Sequence, residues 1–180
     1  YNALAVIAAA RALKVSTPDI KKYLASFKGT ERRAQILGKY KGATIIDDYA
    51  HHPTEIKTTL AGVRKHYPDK NLITVFHPHT YTRTKALFND FVKSLSATDE
   101  LIVLDIYGSA REQQGGVSSA ELVREIIKYN KKNNITQKVI NISTIPQVVK
   151  YLKPRLGKND ALLLMGAGDV FRVGESLLKK

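Results

Sequence analysis

The chain reads as an α/β protein: a Rossmann-like, doubly wound, mostly parallel sheet with helices on both faces, preceded by two helices left from an upstream domain. Two observations predict this. From Ala34 onward strand-like runs alternate with helical stretches to the end of the chain. Those runs are apolar throughout rather than at every second position, which is how strands read when both faces of a parallel sheet are covered. Right-handed crossovers between such strands give an open doubly wound sheet. The size agrees, since 180 residues, 43% hydrophobic and 25% charged, suffice for one full domain and a fragment of another.

Each element has its own local reason. YNALAVIAAARALKV is alanine-rich and predicts a helix buried nearly all round. STPDIKKYLASF predicts a second helix, with Ser16 or Thr17 as N-cap, Pro18 in the first turn, and Ile20, Tyr23, Leu24 and Phe27 on one face. Two such helices cannot make a domain, so residues 1–30 are assigned to an upstream unit and 31–180 to the main one. KGTERR (28–33) joins them as a charged, glycine-containing hinge. AQILGKY and ATIIDDY are strands joined by a hairpin-type turn at KG. PTEIKTTLAGVRKHY is a helix with Pro53 well placed in its first turn. NLITVFHPH is a strand ended by Pro78. TRTKALFNDFVKSLS predicts one amphipathic helix through Leu87, Phe88, Phe91, Val92 and Leu95. ELIVLDIY is a buried strand. SSAELVREIIKYN opens on Ser118 and Glu121, three apart, as a capping box does. KVINIS is a short strand, IPQVVKYLKPRL a helix limited by Pro154, DALLLMGAGD an apolar strand running into glycines, and VFRVGESLLKK the last helix.

Bulk properties narrow the function classes. With no cysteine there are no disulfides, thiolate metal sites or cysteine nucleophiles. No apolar stretch is long enough to span a bilayer, and the first residues lack the charged region and cleavage site of a signal peptide, so a cytoplasmic protein is expected. The net charge of +13, from 29 Lys and Arg against 16 Asp and Glu, is compatible with nucleic acid or anionic substrates. The lysines are scattered over helix faces and termini, however, with no arginine-rich arm and no aromatic-basic platform, so no nucleic-acid partner is expected.

Four of the five histidines fall in two short segments, DDYAHHPTE (47–55) and HPHTYTR (77–83). In an open parallel sheet ligands bind at the carboxyl ends of the strands. Asp47, Asp48, Tyr49, His51 and His52 follow one strand, and His77, His79, Tyr81 and Arg83 follow the next. Asp105, Tyr107, Arg111 and Glu112 follow the third, and Gly166, Gly168 and Asp169 the last. The loops at the opposite edge (YPDKN, SATDE, LGKND) carry ordinary turn residues. The segments beginning at Asp47 and His77 are expected to emerge side by side and to share one cleft. Taken singly, each residue has an ordinary structural use: Asp after a strand as an N-cap, His52 before Pro53 as a helix cap. Their convergence on one edge is what marks a site.

The histidines do not read as a metal centre. His77 and His79 alternate along an extended strand end and so point to opposite faces, His51 and His52 are adjacent, and no His-Glu-x-x-His helix occurs. GAGD (166–169) follows a strand and opens a helix, so its amides suit an anion, but G-x-G-x-x-G is absent. G-x-x-x-x-G-K-[ST] is absent too, and GGVSS (115–119) reads as a loop leading into a helix cap.

DDYAHHPTEI, VFHPHTYTRT, LDIY with its following ARE and GGVSS, and LLLMGAGD together resemble the Mur ligases over nearly the whole chain. Within that family they are most similar to the branch that joins L-alanine to UDP-N-acetylmuramate in peptidoglycan synthesis; murein peptide ligases share a similar acid-acid-aromatic-AHHPT stretch. The resemblance implies a C-terminal Rossmann-like domain carrying the tail of a central ATPase domain. The nucleotide-phosphate loop and magnesium ligands are then expected upstream, with ATP and Mg as cofactors, UDP-N-acetylmuramate and L-alanine as substrates, and the chain's own upstream domains as partners. It further implies that Asn2 faces the adenine, that Arg33 reaches the nucleotide phosphates and that Asp48 accepts hydrogen bonds from the ATP ribose. Tyr49, His51, His79 and Arg83 would line the amino-acid pocket, with His51, His79 and Arg83 closest to the chemistry. Gln35 stands where the family usually has an acid. Thr80 stands where many relatives have arginine, so substrate binding leans on Arg83. Without the resemblance, a freestanding flavodoxin-like module using the same edge for an anion, or a basic nucleic-acid-binding domain, would compete.

Overall fold

The computed structural model describes every residue except Tyr1, Lys28, Arg111, Gln113 and Lys180, so Arg111 of the sequence-predicted edge lies outside the described residues. The chain divides into two compact units, Tyr1–Glu31 and Arg32–Lys180, one residue beyond the expected boundary.

The first unit is a pair of helices, α1 (Asn2–Ala12) and α2 (Thr17–Ser26). Ser16 caps α2 by accepting from the Asp19 amide, and Pro18 sits in its first turn. α1 was expected to be buried all round and has no buried residue; Leu4, Val6 and Leu13 are 66%, 55% and 79% exposed. Alanine favours the helix whatever surrounds it, but a single ten-residue neighbour covers only a stripe of it, and Ile20 alone of α2 is buried.

The second unit holds one six-stranded sheet in the order β1-β2-β6-β3-β4-β5. The strands are β1 (Gln35–Tyr40), β2 (Ala43–Asp48), β3 (Asn71–Phe76), β4 (Glu100–Val103), β5 (Lys138–Asn141) and β6 (Asp160–Met165). β1 and β2 are antiparallel, and all other pairs are parallel. Lys41 and Gly42 both have positive φ, 49° and 85°, as a two-residue hairpin turn requires. The helices are α3 (Pro53–His66), α4 (Tyr81–Ala86), α5 (Phe88–Ser94), α6 (Ser119–Lys132), α7 (Ile145–Leu152) and α8 (Arg172–Leu178).

Two apolar layers flank the sheet, and alternate residues of one strand serve each. Ala161, Leu163 and Met165 of β6 join Ile46, Leu60, Phe76, Phe91 and Leu122 on one side. Leu162 and Leu164 join Ile45, Val75, Leu104, Val148 and Val173 on the other. The uninterrupted apolar strands follow from this double coverage.

Three expectations change. The helix expected over residues 82–96 is two, α4 and α5, hinged at Leu87 (φ −110°, ψ 21°). The apolar positions run from Leu87 at the bend through Phe88, Phe91 and Val92 into one layer, so a one-residue bend leaves no break in that period. The loops after β2 and β3 are not immediate neighbours, because β6 lies between them and pairs with both; order along the chain is not order across a doubly wound sheet. GAGD does not open a helix directly. Tight turns (Arg172 N to Asp169 O, 2.9 Å; Val173 N to Val170 O, 3.0 Å) intervene before α8.

Candidate functional site

The carboxyl edge is organised around Gly166. Its amide donates to the Asp48 carbonyl at 3.1 Å, and its carbonyl accepts from Arg32 Nη2 at 2.7 Å. The His77 amide donates to Met165 O at 2.9 Å. A Cβ on Gly166 would lie 2.7 Å from the His77 carbonyl, so the ends of β6 and β3 can approach this closely only with glycine there.

Two neighbouring acids shape the first loop. Asp47 is 1% exposed and accepts Arg32 Nε at 2.9 Å, while its other oxygen finds no partner among the described residues. Burial pushes its pKa up, in spite of the hydrogen bond and charge of Arg32. Asp48 is 5% exposed and accepts from the amides of Ala34 and Ala50, both at 2.8 Å, and from Thr59 Oγ1 at 3.2 Å. A carboxylate has about four acceptor sites, so a ribose would find few left. The Arg32 guanidinium also lies over the rings of Tyr49 and Phe171, 4.8 and 5.1 Å from their centroids. Sequence reasoning chose Arg33 and passed over Arg32. Arg32 is spent internally, whereas Arg33 is exposed with its guanidinium 5.8 Å from the Tyr49 ring centroid. The signal available was a basic residue that a buried pair of acids would have to claim.

His52 caps α3. Its Nδ1 accepts from the Thr54 amide, and the Glu55 carboxylate accepts from the amides of His51 and His52 at 3.0 and 3.2 Å. Burial alone would raise the Glu55 pKa; the His51 amide, the His51 charge, the His52 amide and Arg33 outweigh it and bring it down. His51 places Nδ1 2.9 Å from the Tyr49 carbonyl. A carbonyl only accepts, so Nδ1 carries a proton and Nε2 is the basic nitrogen of the neutral ring.

β3 ends at Phe76, so strand alternation no longer governs His77 and His79. The expectation that they point to opposite faces fails, since both rings meet Tyr107. His77 meets it edge-on with centroids 5.6 Å apart, and His79 stacks on it at 5.4 Å. Thr80 then turns the chain at φ 71°, accepts from the Arg83 amide and so opens α4, while Arg83 Nη1 donates to His79 O at 3.2 Å. Burial lowers the His79 pKa, and the charges of Arg83 and His51 lower it further against a small opposing effect of Glu112. Burial likewise lowers the pKa of His77 against the opposing charge of Asp169, whose Oδ1 lies 3.5 Å from His77 Nδ1.

From the third loop Glu112 accepts the amides of Tyr81, Thr82 and Ser109 and the Thr82 hydroxyl. These bonds, the Thr82 amide first, lower its pKa to about 2. Beside α4 a cavity of about 700 Å³ is lined by Tyr81, Thr82, Lys85, Ala86, Gln114, Gly115 and Gly116, and neither His79 nor Arg83 belongs to its wall. Asn2 stands exposed at the start of α1, in the first unit. Among the described residues no group of three or more His, Asp or Glu is placed to hold a metal ion.

Comparison with known proteins agrees with this architecture. Residues 32–168 match the family description "Mur ligase, glutamate ligase domain". The chain is 48% identical over 179 residues to a UDP-N-acetylmuramate–L-alanine ligase of Clostridium acetobutylicum, covering 99% of this chain and 38% of that protein. It is 44% identical over 180 residues to the one of Caldanaerobacter subterraneus, covering 100% of this chain and 38% of that protein. The chain thus spans 38% of the length of these curated relatives. Among solved structures it is similar to a murein peptide ligase from Psychrobacter arcticus (TM-score 0.71, 26% identity, 98% of this chain and 35% of that one). The UDP-N-acetylmuramate–alanine ligase of Thermotoga maritima shares the fold (TM-score 0.73, 23% identity, 98% of this chain and 36% of that one). With its family match covering most of the chain and the open parallel sheet beneath it, the chain belongs to the Mur ligase family.

Proposed function

We propose that this chain is the C-terminal part of a cytoplasmic, ATP-dependent ligase that joins L-alanine to UDP-N-acetylmuramate in peptidoglycan synthesis. In that reaction ATP phosphorylates the sugar's carboxylate, the amine of alanine attacks the acyl phosphate, and the tetrahedral intermediate collapses with loss of phosphate. The chain's own groups supply position and charge. Arg83 grips the carboxylate of alanine as a planar, two-pronged donor. His79, kept below the usual imidazole range, is neutral near pH 7 and takes the proton from the attacking amine. His51, with Nε2 free to accept, and Tyr49 complete the wall of the alanine pocket. Arg33 reaches the nucleotide phosphates, Asn2 the adenine, and Asp48 shapes the loop that meets the ribose. The described residues do not fit a magnesium site, so no step is routed through the ion. Without G-x-x-x-x-G-K-[ST], the chain alone does not turn over.

The observation that carries this reading is the gathering of the His51 loop and the His79–Arg83 loop, the latter tied by the Arg83 Nη1 bond to His79 O at 3.2 Å, at the edge where parallel strands end. The names of the relatives at 48% and 44% identity favour alanine over a murein peptide as substrate. In the full-length enzyme, Arg83→Ala should raise the KM for alanine roughly 30- to 150-fold, the equivalent of about 2–3 kcal/mol for a charged hydrogen-bonded contact, and leave the KM for ATP unchanged. Arg33→Ala should do the reverse. Small and equal effects on both substrates would remove this assignment.

A further inference from the structure

Tyr107 follows β4 and touches both histidines of the loop after β3. It is 46% exposed, too open to be a core residue, and its hydroxyl makes no hydrogen bond among the described residues. Its backbone is tied to the histidine loop on both sides of His79. The Tyr107 amide donates to Pro78 O at 2.8 Å, and the Thr80 amide donates to Tyr107 O at 2.9 Å. These bonds make a short parallel bridge between His79 and Tyr107. The two rings lie nearly parallel, 13° apart in plane with centroids 5.4 Å apart.

His79 needs such a support. His51 is aimed by its Nδ1 bond to a carbonyl, whereas the Nδ1 of His79 is buried with no hydrogen-bond partner among the described residues. Among the described residues no polar contact fixes the imidazole plane, and the ring packs against Tyr107. His77, itself only 8% exposed, also meets the Tyr107 ring, at 90° with centroids 5.6 Å apart, so the tyrosine rests against a buried neighbour.

We propose that Tyr107 is a positioning residue: its ring sets the plane of His79 and so the direction in which Nε2 meets the reacting amine. The proposal rests on the role given to His79 above. Stacking needs the ring and not the hydroxyl, which separates this role from a polar contact to substrate.

The test uses histidine-ring NMR signals of this chain together with turnover of the full-length enzyme. Tyr107→Phe should leave the His79 ring signals in place. Tyr107→Leu should shift them as the ring current is lost, and should raise the His79 pKa toward the ordinary imidazole value as water reaches it. The groups that face His79 (Arg83, His51 and Glu112) and those that face His77 (Asp169, Asp105) stay as they are. In the full-length enzyme Tyr107→Leu should lower kcat up to about tenfold, leave the KM for ATP unchanged, and be rescued by Tyr107→Phe. His79 signals unmoved by Tyr107→Leu, or Phe behaving as Leu does, would overturn the proposal. Shifted signals with unchanged turnover would uphold the stacking and remove His79 as the proton acceptor, which separates the two failures. Tyr107→Met, longer and more adaptable in packing, serves if leucine unfolds the chain.

Discussion

Asp47 and Glu112 lie at the same sheet edge and respond to acid in opposite ways. Glu112 has its pKa lowered from 4.5 to about 2, chiefly by the Thr82 amide. The folded state keeps it ionised where the unfolded chain has already taken up a proton, so its stabilisation is present above pH 4.5 and lost as the pH falls toward 2. Asp47 has its pKa raised from 3.8 by burial, so its contribution is present below 3.8 and lost as the pH rises through the folded value. Urea midpoints measured against pH should therefore show a flatter acid limb for Glu112→Gln between pH 4.5 and about 2, and for Asp47→Asn less decline above pH 3.8. An unchanged acid limb for Glu112→Gln would mean that the amides do not hold the carboxylate. At this scale the sequence announced which polar loops gather at the carboxyl edge of the sheet, because DD, HH and HPH all come after apolar runs. It could not separate Arg32 from Arg33. That choice depends on Arg32 at φ 56° and Ala34 at φ 47°, which turn one guanidinium inward and leave the other outside, and a sign of φ leaves no trace in residue spacing.

Between elements, the closest constraint on the site is the approach of β6 to β3 at Gly166. Gly166→Ala places a methyl group 2.7 Å from the His77 carbonyl at a φ of 149°, so the strand ends must part or the backbone must strain. The expected loss is about 1–3 kcal/mol, the usual range for forcing extra atoms into a packed place. It should come with displaced His77 and His79 signals, because the loop they share starts from that contact. Chemical denaturation and the histidine NMR spectrum together check this, and an alanine variant as stable as the parent with unmoved histidines would refute it. The elements themselves were largely legible: strand-like runs marked all six strands, and the capping box at Ser118 and Glu121 marked the start of α6. The bend at Leu87 was not, because Leu87 packs with Phe88 against the same layer as Phe91 and so fits a continuous helix. Nor was the position of β6 between β2 and β3. An apolar strand flanked by two parallel neighbours reads the same wherever it stands in the sheet.

For the molecule as a whole, the distribution of burial predicts where stability resides. Every residue of both apolar layers lies within the second unit, whereas the first has Ile20 as its one buried residue among those described. Helices of 11 and 10 residues fall below the length of about 12–15 at which an isolated helix holds in water. Amide exchange in this chain should accordingly be fast through α1 and α2 and slowest in β2, β3 and β6, whose opening requires both layers to come apart. A shortened chain of residues 32–180 should unfold cooperatively with a Tm within about 3 °C of the parent, since a loss of about 1 kcal/mol would move it by 2–4 °C. Arg32 must be kept in that shortened chain, because its contacts with Asp47 and Gly166 belong to the second unit. A fall of about 10 °C or more, or slow exchange in α1, would show that the stability of the sheet domain depends on the first two helices.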